Sequence, residues 1–267
     1  MVSFSTRTKV SGTTLNQYSL DESAGYLRLA LESYSDDGYS TRIAILDKDL
    51  ELLGETSGLG RGEHMKSSRF LGDKAYLVTY RNTDPLFVVD LSEPSAPKVL
   101  GELKISGYSA YLHPYDETHL LGIGVDTDEV TNRDENGRII SSFATVEGLK
   151  MSLFDISDFA TPKEVAKISF GDATTSSAIL NNAKALLFSK EKEVIAIPTD
   201  NDTYRVFSVN LADGFAEKGV ITHHDSSLIR GVYLDNSLVT VSENTLMIND
   251  LSSLTPLSEL ALTINDN

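Results

Sequence analysis

Cysteine is absent from the 267 residues. That removes disulfides, thiolate metal sites and cysteine nucleophiles, and it leaves the compartment undecided. No window approaches the roughly 20 consecutive apolar residues of a membrane-spanning helix. The opening Met1-Val2-Ser3-Phe4-Ser5-Thr6-Arg7 lacks the apolar core of a signal peptide. Positive charge is scarce: 23 lysines and arginines face 39 aspartates and glutamates, a net charge of −16. Such a field repels phosphate backbones, and the sequence has no basic patch to offset it, so no nucleic-acid partner is expected. Cationic partners, metal ions or a cell-surface setting suit the charge, and so does solubility alone. Helical periodicity is almost missing. Hydrophobic residues still make up 40%, enough for a sizeable core and against global disorder.

What fills the chain is alternation. Tyr26-Leu27-Arg28-Leu29-Ala30-Leu31 and Tyr204-Arg205-Val206-Phe207-Ser208-Val209 have the period of two expected of strands with one buried face. Leu86-Phe87-Val88-Val89 is apolar on both faces, as in a strand sandwiched between neighbouring sheets. Asp36-Asp37-Gly38, Leu71-Gly72-Asp73, Asn181-Asn182 and Asp235-Asn236 supply turns between such runs.

A pattern of apolar segment, polar turn and apolar segment also repeats. Its aligned positions are Tyr18, Phe70, Tyr111, Ile179 and Val232, giving spacings of 52, 41, 68 and 53 residues. Strand-type units at this period predict an all-β fold, a β-propeller of four-stranded antiparallel blades. The second unit shows it best, with strands over 67–71, 75–80, 86–90 and 98–104. Between its last two strands lies Asp90-Leu91-Ser92-Glu93-Pro94-Ser95-Ala96-Pro97. The joint recurs from Asp155 to Pro162 and from Asp250 to Pro256. Aspartate caps each of these turns and proline sets φ for the exit, so they read as blade corners. The blades span 13–63, 64–106, 107–172, 173–224 and 225–262 of one propeller domain or propeller fragment, 1–267. Ser3–Val10 is left over as an extra N-terminal strand. It belongs either to an arc of a larger ring or to the last sheet of a closed five-bladed ring.

Several strings resemble a known family: Gly148-Leu149-Lys150-Met151-Ser152-Leu153-Phe154-Asp155-Ile156-Ser157-Asp158, Thr83 to Ser92, Tyr111 to Glu117, and Gly122 to Glu129. They are similar to secreted bacterial and archaeal proteins with a C-terminal β-propeller distantly related to WD repeats, over about residues 10–251. The resemblance implies export, an N-terminal portion beyond this segment and no established activity. It carries over no catalytic residue. Where that family tends to a His-Lys-Ala run, this chain has Asn182-Ala183-Lys184-Ala185.

Candidate functional residues fall in two places. The starts of inner strands line the central funnel of a propeller, which nominates Ser68, Arg69, Tyr108, Ser177 and Arg230, with Asn16, Gln17, Ser109 and Ser176 beside them. Arg69 and Arg230 would bind an anion together, or satisfy buried carbonyls at the axis. The second place is the insertion 126–142 in the third blade. Asn132, Asp134, Asn136, Gly137 and Ile139 follow the spacing of a calcium loop, with Asp126 or Asp128 to add charge. However, Phe143 stands where a bidentate glutamate belongs, and a solvated acidic hairpin tip explains the same residues. The five histidines show no zinc spacing, and Gly58-Leu59-Gly60-Arg61-Gly62-Glu63 lacks the Lys-Ser/Thr end of a phosphate loop.

With no catalytic constellation in view, the sequence points to a non-enzymatic binding or scaffold module of an exported, cell-surface protein. It would meet a protein or glycan partner, without cofactor or with calcium alone. Two alternatives stay open: a hydrolase or lyase with its site at the funnel, and a calcium-stabilised structural domain. An arc would also leave blade edges free for dimerisation.

Overall fold

A computed structural model describes residues 6–81, 84–200, 202–224 and 228–262. Its strands form five four-stranded antiparallel sheets, the blades of a β-propeller. The first holds β1 (Leu20–Ser23), β2 (Tyr26–Ser35), β3 (Gly38–Leu46) and β4 (Leu52–Glu55). The second holds β5 (His64–Leu71), β6 (Lys74–Tyr80), β7 (Asp84–Asp90) and β8 (Lys98–Ile105). The third has β9 (Tyr108–Pro114), β10 (His119–Arg133), β11 (Ile139–Asp155) and β12 (Lys163–Phe170). The fourth has β13 (Leu187–Ser189), β14 (Val194–Thr199), β15 (Thr203–Asn210) and β16 (Gly214–Thr222). The fifth has β17 (Leu228–Leu234), β18 (Ser237–Ser242), β19 (Thr245–Asp250) and β20 (Pro256–Ala261). Within each sheet the strands lie side by side in chain order, as short turns between antiparallel neighbours require.

The chain divides into two compact units: Met1–Val146 with Phe154–Glu164, and Glu147–Leu153 with Val165–Asn267. In the first unit, β6 and β7 explain the doubly apolar runs. Ala75, Leu77, Phe87 and Val89 pack with Ala30, Ile43 and Ile45 of the first sheet. The alternate residues Tyr76, Val78, Leu86 and Val88 pack with Leu112, Leu120 and Phe154. In the second unit Val194, Ala196, Tyr204 and Val206 pack with Leu238 and Leu251.

The extra N-terminal segment lies against the first sheet. Thr13 makes an antiparallel bridge to Glu32, Arg42 donates to the Ser11 carbonyl at 2.7 Å, and Val10 packs on Leu29, Leu31, Ala44 and Leu46. Met1–Ser5, and with them the start of the expected strand, lie outside the described residues.

One repeat departs from its pattern. The apolar run after Ser177 was expected to open the fourth sheet as a strand, but Ala178–Leu180 and Ala183–Ala185 are 3-10 turns. The sheet begins only at β13. The side chains of Ser177 and Asn182 accept from the N–H groups of Ile179 and Lys184, and such local bonds compete with a ladder. Gln17–Ser19 is likewise a 3-10 turn, capped by Asn16.

Candidate functional site

The strongest cluster of polar and aromatic side chains in the first unit is built on β5 and β9. Alternation along β5 sends Ser68 and Phe70 to the buried side and leaves Arg69 partly buried. Ser68 is anchored by Ser19, their hydroxyl oxygens 3.0 Å apart, and Ser67 donates to the Ser109 carbonyl at 2.7 Å. These bonds fix the strand from which Arg69 projects. The guanidinium carbon lies 4.9 Å from the centre of the Tyr18 ring, within cation–π reach. Tyr18 packs in turn on Tyr111, with ring centres 5.5 Å apart and planes tilted by 55°. The Tyr111 hydroxyl stands 3.1 Å from Nδ1 of His113, and Tyr18 and Arg69 both lie close enough to act on its ionisation.

The electrostatics follow from this packing. Burial first, then the neighbouring Tyr18, pushes the Tyr111 phenol up to about 12, with Arg69 opposing. Burial, then the charge of Arg69, pushes His113 down to about 4. At neutral pH the cluster therefore presents an un-ionised Tyr111, a neutral imidazole and one guanidinium cation. Arg28, Arg42, Arg61 and Arg205 pair with Asp21, Glu55, Asp37 and Glu217. Among the described residues Arg69 makes no such ion pair. Lys66, on the same strand, also sits on aromatic faces, its Nζ 4.9 Å from the Tyr108 ring and 5.9 Å from that of Tyr80.

The funnel candidates thus separate. Ser68 and Arg69 come together with Tyr18, Tyr111 and His113, and Tyr108 stacks on Tyr80 at 4.8 Å beside Lys66. Ser177 is occupied structurally: its hydroxyl donates to the Pro198 carbonyl at 2.6 Å and caps the 3-10 turn. Arg230 is exposed on β17 of the second unit, near Tyr204, whose phenol is raised by burial with Arg230 opposing. Tyr18, Tyr111 and His113 escaped the sequence reading as site residues because the repeat marked the two tyrosines as core. The alternation of β9 was the available signal, since it puts Tyr111 and His113 on one side of the strand.

The insertion folds as a two-stranded arm, the continuation of β10 and β11. Asn132 donates across it to Ser141 at 3.0 Å, and Thr145 to the Asp128 carbonyl at 3.3 Å. At the tip Asp134 accepts from the N–H groups of Asn136 and Arg138, each at 2.9 Å. Asp126 is buried at the base, where it accepts from Thr127 N–H. Seven residues of extended strand lie between it and Asp134, a span of about 25 Å. Of the calcium candidates, Asp134 and Asn136 share the tip turn, while Asp126 at the base is not brought to them. Among the described residues no group of three or more His, Cys, Asp or Glu could hold a metal ion. What the arm does present is apolar: Val130, Ile139, Ile140, Phe143 and Val146 are all exposed, Ile140 to 69%.

The profile of a β-propeller domain family matches residues 1–254. An uncharacterised protein of Methanocaldococcus jannaschii is 39% identical over 246 residues, 91% of this chain and 36% of that protein. Another, from Archaeoglobus fulgidus, is 35% identical over 253 residues, 95% of this chain and 36% of that one. The chain thus spans little more than a third of the length of these relatives. Among solved structures, apo AztD from Citrobacter koseri matches with a TM-score of 0.55 at 13% identity, over 91% of this chain and 59% of that one. At that identity the likeness concerns the fold alone.

Proposed function

The chain belongs to the β-propeller domain family, and on that premise we propose that it is a non-enzymatic binding module. Its protein partner docks on the β10–β11 arm. The observation that carries this is the exposed apolar set Val130, Ile139, Ile140, Phe143 and Val146, on a ribbon of a protein with net charge −16. Exposed aliphatic and aromatic side chains on one element are what protein interfaces bury. A glycan would favour planar aromatic groups to stack on, and Phe143 is the one aromatic residue of the arm. The family resemblance supports an exported, cell-surface setting for this binding. The fifth sheet supports self-association as well, because Val232, Leu234 and Leu260 on it are exposed.

The competing reading is a hydrolase or lyase at the first-unit cluster, favoured by the approach of His113 to Arg69 through Tyr111. A histidine held near 4 is a poor general base at neutral pH, which weighs against it.

The test is affinity capture from a cell-envelope extract with the wild-type chain and with an Ile140→Glu/Phe143→Glu variant. The variant is expected to lose the wild type's partners while its melting temperature stays within about 2 °C, as for exposed substitutions. Capture of the same partners by both proteins would overturn the proposal.

A further inference from the structure

We propose that the Arg69 cluster is a binding site for a carboxylate group, separate from the docking arm. The argument starts from charge. Acidic residues outnumber basic ones 39 to 23, yet neither Arg69 nor Lys66 makes an ion pair among the described residues. Both lie on β5 and both are packed on tyrosine rings instead. A partly buried guanidinium on an aromatic face with no carboxylate partner offers a planar fork that matches the two oxygens of a carboxylate.

The neighbours complete the site. Tyr111 is un-ionised and adds a hydroxyl beside the guanidinium. His113 stays neutral, so the site carries no second charge that would have to be desolvated with the first. Ser19 and Ser68 bond each other below Arg69 and hold its strand in place. A monoanion suits one guanidinium in this setting. A phosphate dianion would meet the same donors but would pay twice in the field of a strongly acidic protein.

Carboxylates reach such a site as simple acids, peptide side chains and termini, or sugar acids, and the probes separate these sources. The full chain is titrated by calorimetry with acetate, glucuronate, glucose and inorganic phosphate, while the His113 ring resonances are followed by NMR. Acetate and glucuronate are expected to bind and to shift those resonances, and glucose is expected to do neither. Equal acetate and glucuronate affinities assign recognition to the carboxylate alone, whereas tighter glucuronate adds contacts to the sugar. Arg69→Gln should weaken binding at least about tenfold, as expected for a lost charge-assisted hydrogen bond. Arg69→Lys, which keeps the charge without the fork, should fall between and guards against a folding defect in the first variant. Lys66→Gln should weaken binding by less than Arg69→Gln. The proposal is overturned if glucose binds as well as glucuronate, if phosphate binds tightest, if Arg69→Gln binds like wild type, or if neither carboxylate binds at 20-fold above about 1 mM, the weak end of specific affinities. Arm variants should leave all of these titrations unchanged, so failure here and failure of the docking proposal are distinguishable.

Discussion

Each sheet turns its third corner on an aspartate or asparagine. Asp47 accepts from the N–H of Asp49, Asp90 from Ser92, Asp155 from Ser157, Asn210 from Ala212 and Asp250 from Ser252. Three of these corners were visible as Asp…Pro strings; the other two lack the proline, and only the shared geometry reveals them. Where ionisation is affected, it is favoured. Burial raises the cost of charge on Asp90, but hydrogen bonds from Ser92 and Lys74 outweigh it and hold the carboxyl below its usual range. Asp155 is lowered by the hydroxyl and N–H of Ser157, and Asp250 by the N–H and hydroxyl of Ser253. A depressed folded pKa means the unfolded chain binds protons first as the pH falls. The stabilisation is therefore complete above the unfolded value of about 3.9 and is lost as the pH drops through the lower folded values. Melting temperature should fall steeply below about pH 4, and the Asp90→Asn/Asp155→Asn/Asp250→Asn variant should show a shallower fall. Equal slopes would show that these corners do not drive acid unfolding. At this scale the Arg69 site was only half legible. Arg69 and Ser68 were nominated by their place on a strand, but Tyr18 and Tyr111 looked like core, and nothing local says that residues from three repeats meet.

At the scale of elements, sheets follow one another through small residues on their fourth strands. A Cβ on Gly54 of β4 would stand 2.6 Å from the Pro94 carbonyl oxygen, at the corner of the second sheet. One on Gly101 of β8 would stand 2.5 Å from the Phe159 carbonyl oxygen, at the corner of the third. In the second unit the neighbours are side chains: a Cβ on Gly214 would stand 2.9 Å from the Cβ of Ala166 on β12, and one on Gly219 3.0 Å from Cδ1 of Leu254. Gly54 does not have a positive φ, so Gly54→Ala tests the close approach and not backbone strain. It should cost about 1–3 kcal/mol, the usual range for overpacking, read as a lower urea midpoint at unchanged slope. A cost below about 0.5 kcal/mol would mean the corner gives way freely. Strand alternation made most elements readable in advance. The 3-10 turns at Ala178–Leu180 and Ala183–Ala185 were not, because their hydrophobicity suits a strand and only the side-chain caps redirect the backbone. The insertion stood out by its spacing. Its body is two paired strands, and its tip is a turn closed by Asp134, which accepts from the N–H groups of Asn136 and Arg138.

For the whole molecule, the fifth sheet is decisive. One face packs within the second unit through Leu238, Thr240 and Asn249, all buried. Its other face carries Val232, paired with Val239 and through it with Ile248, and Leu246, paired with Leu260. Val232 is 44% exposed and Leu260 58%, an apolar surface of the kind that associates. Light scattering should find mass rising with concentration for the wild type, and Leu260→Asp should hold it at the 29.1 kDa of one chain. A wild type that stays monomeric at every concentration would overturn the proposed self-association.

The sequence by itself determined most of the strands, their grouping into five sheets and three of the five corners, because period-two alternation and Asp…Pro turns are local physics. It also determined the acidic field and the absence of thiol chemistry, which need only counting. The tertiary structure alone decided that Tyr18, Arg69, Tyr111 and His113 share one site, that the insertion is an apolar-studded arm and that one face of the fifth sheet is exposed. Those facts depend on which faces meet across residues far apart in the chain, and alternation says that a residue is on a face without saying what that face will touch.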